Sequence, residues 1–104
     1  LSNAPDVFVA SLGQAMSVPA FELMLAFRNA GLRADMDHAG RSLKAQFKYA
    51  DKLGAAYVAI LGEDEHTRGV VKLRNMSTKE EWETPLHSTA ETLQGRILKQ
   101  IEEA

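Results

Sequence analysis

Residues 54–62 read Gly54-Ala55-Ala56-Tyr57-Val58-Ala59-Ile60-Leu61-Gly62. The run from Ala56 to Leu61 is apolar throughout, as a strand must be when both of its faces are covered. A strand of that kind belongs at the centre of a sheet, and the flanking sequence supplies the cover. Immediately upstream, about Arg41 to Leu53 has helical periodicity and is closed by Gly54: Leu43, Phe47 and Ala50 share one face, while Arg41, Lys44, Lys48 and Lys52 fall together on another. Further upstream, Arg33 to Asp37 alternates as a strand does. About Ala15 to Ala30 places Ala20, Leu23, Met24, Phe27 and Ala30 on one helical face, with Glu22 and Asn29 opposite. Pro19 suits a first turn and Gly31 a helix stop. Asp6 to Ser11, ended by Gly13, reads as a buried strand.

Downstream the character changes. Gly62 to Gly69 is expected as a charged loop. Val70 to Met76 and Glu81 to Thr84 are expected as two strands joined by Ser77-Thr78-Lys79, with Pro85 ending the second. A last helix covers about Thr89 to Glu103, with Leu93, Ile97, Leu98 and Ile101 as its apolar side. The order β-α-β-α-β-β-β-α predicts parallel strands joined by right-handed crossovers, then an antiparallel hairpin at one sheet edge. The fold class is α/β, a three-layer α/β/α domain with a mixed five-stranded sheet. Ligands of such sheets meet the carboxyl ends of the parallel strands, here Ser11 to Gln14, Asp37 to Arg41 and Gly62 to His66.

Length and composition narrow the function classes. A chain of 104 residues with 45% hydrophobic residues is one domain with a core of its own. It has no Cys, which removes disulfides, thiolate metal sites and a Cys nucleophile. No apolar run approaches the roughly 20 residues that span a bilayer, and no basic region followed by an apolar one marks a signal peptide, so a cytoplasmic protein without membrane contact is expected. Leu1-Ser2-Asn3-Ala4 resembles the remnant of a cleaved tag, which predicts a domain over 5–104 cut from a longer protein. The net charge of −2 excludes a strongly basic, indiscriminate nucleic-acid binder. That average hides a contrast, because residues 40–75 carry seven cations against four acids while both flanks are acidic.

Enzymatic motifs are missing. There is no G-x-G-x-x-G, no G-x-x-x-x-G-K-[ST] and no G-x-S-x-G, so neither phosphate cradle nor nucleophile elbow is supported, and no catalytic residue is assigned. Asp35, Asp37 and His38 gather at one strand end, and Glu63, Asp64, Glu65 and His66 at another. Without ligand spacing they are expected as solvated charge rather than a metal site. The basic helical stripe can be an ordinary solvated face or can track a phosphate backbone. Lys72, Arg74 and Asn75, on a strand expected at the sheet edge, either discourage edge pairing or read unstacked bases. Glu63 and Glu65 can accept hydrogen bonds from base amines. Phe21 and Leu25, on the flank of the first helix, either extend the core or mark a docking surface.

Residues 40–65, Gly-Arg-Ser-Leu-Lys-Ala-Gln-Phe-Lys-Tyr-Ala-Asp-Lys-Leu-Gly-Ala-Ala-Tyr-Val-Ala-Ile-Leu-Gly-Glu-Asp-Glu, followed by Gly69-Val70-Val71-Lys72, resemble the C-terminal anticodon-binding domain of histidyl-tRNA synthetases, class II enzymes. The likeness covers nearly the whole chain. It implies the fold drawn above and contact with the anticodon loop of histidine tRNA. It places the catalytic domain, with its ATP, magnesium and histidine, N-terminal to this chain, in a parent expected to work as a homodimer. By family position, Glu65 and Arg74 match places that contact anticodon bases, and Gly40, Arg41 and Lys48 match the segment bordering the same loop. With Lys44, Glu63 and Lys72 these form the expected RNA-binding set, and DNA is not an expected partner. Gln46 belongs to the family pattern without an assigned role. The family often has an aromatic residue where His38 stands and a second Gly at Ala39. The competing reading is a non-catalytic accessory module of the same fold, binding protein or other RNA.

Overall fold

The computed structural model describes residues 3–103; of the tag-like tetrapeptide, Leu1 and Ser2 lie outside the described residues. Five strands form one sheet: β1 (Val7–Ser11), β2 (Ala34–Met36), β3 (Tyr57–Leu61), β4 (Val70–Asn75) and β5 (Glu81–Pro85), in the order β2-β1-β3-β4-β5. β1 pairs in parallel with β2 and β3, and β3-β4 and β4-β5 are antiparallel. The helices are α1 (Ser17–Asn29), α2 (Leu43–Leu53), α3 (Glu63–Arg68) and α4 (Thr89–Glu103), with 3-10 turns at Gln14–Met16 and Leu86–Ser88.

Alternation along the strands divides the interior into two layers. Val7, Val9, Tyr57, Ala59, Leu61, Val71 and Leu73 face α1 and α4, where Ala20, Leu23, Met24, Phe27, Ala90 and Leu93 pack on them. Phe8, Ala10, Val58 and Ile60 face α2, where Leu43, Phe47, Tyr49 and Ala50 cover them. β3 is buried along its whole length, as its unbroken apolar sequence requires. The first layer is cross-tied: the Gln94 amide donates to the Ala30 carbonyl, and the Tyr57 hydroxyl meets Gln100 at 3.0 Å.

Three expectations change. Residues 62–69 are not a loop throughout, since α3 occupies six of them. It has no apolar stripe to betray it, but it carries the polar signs of a helix. Glu63, Asp64 and Glu65 sit in its first turn, Arg68 reaches Asp64 at 3.0 Å, and Gly69 closes it at φ +70°. Second, β5 rather than β4 is the sheet edge, so Lys72 and Arg74 lie on a strand paired on both sides, and a role as edge guards is removed. Third, α4 uses only part of its predicted apolar side. Leu93 is buried and Ile97 half-buried, whereas Leu98 and Ile101 are exposed. Phe21 and Leu25 on α1 are likewise exposed rather than core.

Candidate nucleic-acid interface

Beyond the carboxyl ends of β1 and β2 lies a crevice of about 590 Å³, lined among others by Ser11, Gly13, Asp37, Gly40 and Arg41. Its wall is the turn from β2 into α2. The Asp37 side chain is 2% exposed and accepts from the Arg41 amide at 2.8 Å and from Arg41 Nη1 at 2.6 Å. Burial alone would raise its pKa. The Arg41 amide and guanidinium and the Ala39 amide outweigh burial and hold the carboxyl below its ordinary range. Gly40 takes φ +66°, a left-handed conformation that a side chain disfavours. Ser42 then caps α2, its hydroxyl accepting from the Ala45 amide at 3.2 Å.

That cap corrects the predicted basic stripe. Arg41 precedes the helix and does not follow its periodicity. Its guanidinium folds onto Asp37 and lies 4.7 Å from the Tyr49 ring centroid, while its side chain stays 41% exposed. Lys44, Lys48 and Lys52 are the exposed cations of α2 proper.

Lys44 and Lys48 border a second depression, of about 400 Å³, between α2 and β4, with Phe47, Asp51, Arg74, Met76 and Lys79. Arg74 crosses its floor. The guanidinium lies 5.0 Å from the Phe47 ring centroid, a cation–π contact, and Nη1 pairs with Glu81 across the hairpin at 3.2 Å. Arg74 Nε is buried and has no hydrogen-bond partner among the described residues, an orphaned donor inside a basic groove.

The remaining predicted residues lie apart from this groove. Glu63 is exposed at the start of α3. Glu65 is turned inward: Oε1 accepts from the Gly62 amide at 3.0 Å, Oε2 is 3.8 Å from Arg68, and the side chain is 14% exposed. Lys72 pairs in register with Ile60 and Glu83. Glu83 itself is bound by Arg68 at 2.9 and 3.1 Å, and those hydrogen bonds, with Lys72 nearby, lower its pKa. The structure therefore gathers Lys44, Lys48 and Arg74 at one groove and Gly40 and Arg41 at the crevice. Glu63, Glu65 and Lys72 lie toward the α3 end of the sheet.

Three residues have structural partners that the sequence did not assign. Asp37, expected as solvated charge at a strand end, is instead buried, because the Arg41 amide and guanidinium pair with it, and it anchors Arg41. Phe47 supports Arg74 as well as the core. Gln46, 1% exposed, bonds to both Ser11 and Arg41. A polar residue on the apolar side of an amphipathic helix was the available signal for Gln46. Among the described residues no group of three or more His, Asp or Glu side chains gathers to hold a metal ion, and no helix is long and apolar enough to cross a membrane.

The described residues form a mixed five-stranded α/β/α sheet, with a crevice at the carboxyl ends of β1 and β2 and a groove bordered by Lys44, Lys48 and Arg74. The chain belongs to the anticodon-binding domain family, whose model matches residues 6–96. Within that family its similarity is to histidine–tRNA ligases. It is 46% identical over 94 residues to the histidine–tRNA ligase of Alkaliphilus oremlandii, covering 88% of this chain and 22% of the relative. It is 51% identical over 81 residues to that of Symbiobacterium thermophilum, covering 78% and 19%. The crystal structure of histidyl-tRNA synthetase from Nostoc superposes with a TM-score of 0.85 at 26% identity, over 91% of this chain and 23% of that one. The chain thus spans about a fifth of the length of the curated relatives it matches.

Proposed function

We propose that this chain holds the anticodon loop of histidine tRNA and so positions that tRNA for aminoacylation by a catalytic part of a longer parent. The observation that carries this is the clustering of Lys44, Lys48 and Arg74 around one groove, beside the Arg41 turn, in a member of an anticodon-binding family. Lys44, Lys48 and Lys79 supply attraction for phosphates. Arg74 presents a guanidinium, pre-oriented by Glu81 and Phe47, to the edge of an unstacked base. Glu63 offers free carboxylate oxygens to base amines, whereas Glu65 has only Oε2 to offer because Oε1 closes its own helix. Lys72 adds positive potential along the same sheet face.

The work of this domain is positional. ATP and magnesium do not fit the residues described: the sequence has no phosphate-cradling glycine loop and the acids do not converge. In this reading they belong to the catalytic part of a cytoplasmic, homodimeric parent.

Arg74→Ala tests the assignment. Binding of a stem-loop carrying the histidine anticodon should weaken by about 1–3 kcal/mol, if the figure for a base-reading Arg in DNA complexes carries over. A stem-loop with an altered anticodon should lose less. Equal losses on both RNAs would reject base reading by Arg74.

A further inference from the structure

The last residue of β1 presents an unusual problem. β2 has three residues and pairs only with Val7, Phe8 and Val9. The Leu12 amide bonds to Leu61 on the β3 side, at 3.0 Å, so by alternation the Ser11 amide and carbonyl point the other way, past the end of β2. No strand reaches them. Gln46, entering from α2, closes both: Oε1 accepts from the Ser11 amide at 3.0 Å, and Nε2 donates to the Ser11 carbonyl at 2.8 Å. The same Nε2 donates to the Arg41 carbonyl at 2.7 Å. One buried primary amide therefore uses both of its N–H donors and its oxygen to join the end of β1 to the turn that carries Gly40 and Arg41.

Arg41 is consequently fixed at three points. Asp37 holds its amide and Nη1, Tyr49 lies beneath its guanidinium, and Gln46 holds its carbonyl. A left-handed glycine precedes it, and residues 37–42 belong to no helix or strand whose hydrogen-bond ladder would keep the turn's shape. Ser11 and Arg41 both line the crevice, and Gln46 lies beneath them without itself being exposed.

We propose that Gln46 is a positioning residue for RNA recognition. It sets the affinity of the crevice by fixing the Arg41 turn, without touching the RNA. This rests on the reading of the Arg41 turn as part of the anticodon-binding surface. A side chain that is pre-set binds without the ordering cost that a loose one must meet, so the effect of Gln46 is expressed through Arg41.

A double-mutant cycle tests it, with fluorescence anisotropy on the histidine anticodon stem-loop and a thermal melt of each variant. Gln46→Met removes the hydrogen bonds at similar volume. Gln46→Glu is the second variant: it keeps the acceptor for the Ser11 amide and, at this buried position, faces the Ser11 and Arg41 carbonyls with a carboxyl that can donate at most one hydrogen bond, and only when protonated. Arg41→Ala and either Gln46 variant are each expected to weaken binding roughly tenfold, toward the low end of what one nucleic-acid contact is worth. In the Arg41→Ala background the Gln46 substitution is expected to add less than about twofold, because the residue it acts through is gone. A purely structural role would give equal, multiplying losses in both backgrounds and would overturn the proposal. So would unchanged binding by a folded Gln46 variant when Arg41→Ala still weakens it, which leaves the RNA reading intact. If Arg41→Ala itself has no effect, the reading of this turn fails and the proposal falls with it.

Discussion

Removing the Asp37 carboxylate is expected to destabilise the domain more than any other single change at its surface crevice. The side chain is 2% exposed and receives Arg41 N at 2.8 Å, Arg41 Nη1 at 2.6 Å and the Ala39 amide. A hydrogen bond to a charged group contributes about 1.5–3 kcal/mol. The three do not add in full, because burying the carboxylate opposes them and the Arg41 side chain is 41% exposed, so its half of the pair is screened. A net cost of about 2–4 kcal/mol for Asp37→Ala follows, against a total stability on the order of 5–15 kcal/mol. For a domain of this size that lowers Tm by roughly 8–32 °C, at about 4–8 °C per kcal/mol. The pH dependence has a defined sign. The folded pKa of Asp37 is below its unfolded value, so its contribution is fully present above the ordinary carboxylate range and is lost as pH falls through the folded pKa. Melts by circular dichroism from neutral pH down through the ordinary Asp pKa of about 4 should show the gap between wild type and Asp37→Asn narrowing as pH falls. A neutral-pH cost for Asp37→Ala below about 0.5 kcal/mol, the range of ordinary surface changes, or an acid limb identical in Asp37→Asn and wild type, would refute this account of the turn.

Phe27→Ala, at a fully buried position between α1 and the sheet, should cost about 3–5 kcal/mol and leave a population of unfolded chain visible in urea titration. Gly40→Ala meets no neighbouring atom, so its cost is conformational alone, about 1–2 kcal/mol for a left-handed residue, read as a lower Tm without loss of secondary structure. Lys44→Ala together with Lys48→Ala should reduce the slope of log affinity against log salt by about 1.4 for single-stranded RNA, since each phosphate contact contributes about 0.7. An unchanged slope would remove those lysines from the phosphate path.

The sheet was legible because its strands are buried on both faces or alternate cleanly. Ala56 to Leu61 marks the centre, and the Leu43-Phe47-Ala50 face marks the helix that covers it. α3 was not legible by apolar periodicity, since none of its residues is buried. Its acidic first turn and closing glycine carried the information instead. The edge position of β4 was misassigned because pairing partners depend on hairpin order, which local pattern does not encode. At the candidate site, residue type found the cations, but their division into a groove and a crevice follows from a cap. Ser42 starts α2 one residue after Arg41 and so takes Arg41 out of the helical stripe. Asp37 and Gln46 were hardest to assign from sequence, because a buried polar group takes its role from partners distant in sequence, such as Ser11.

The central claim is that this chain distinguishes the anticodon of histidine tRNA. Isothermal titration of the chain with two stem-loops, identical except for the anticodon, tests it at fixed ionic strength. The account predicts tighter binding of the histidine anticodon by about 1–3 kcal/mol per altered base, with the figure for base readout in DNA complexes as guide. Equal affinities for the two RNAs would contradict it and favour an accessory module of the same fold.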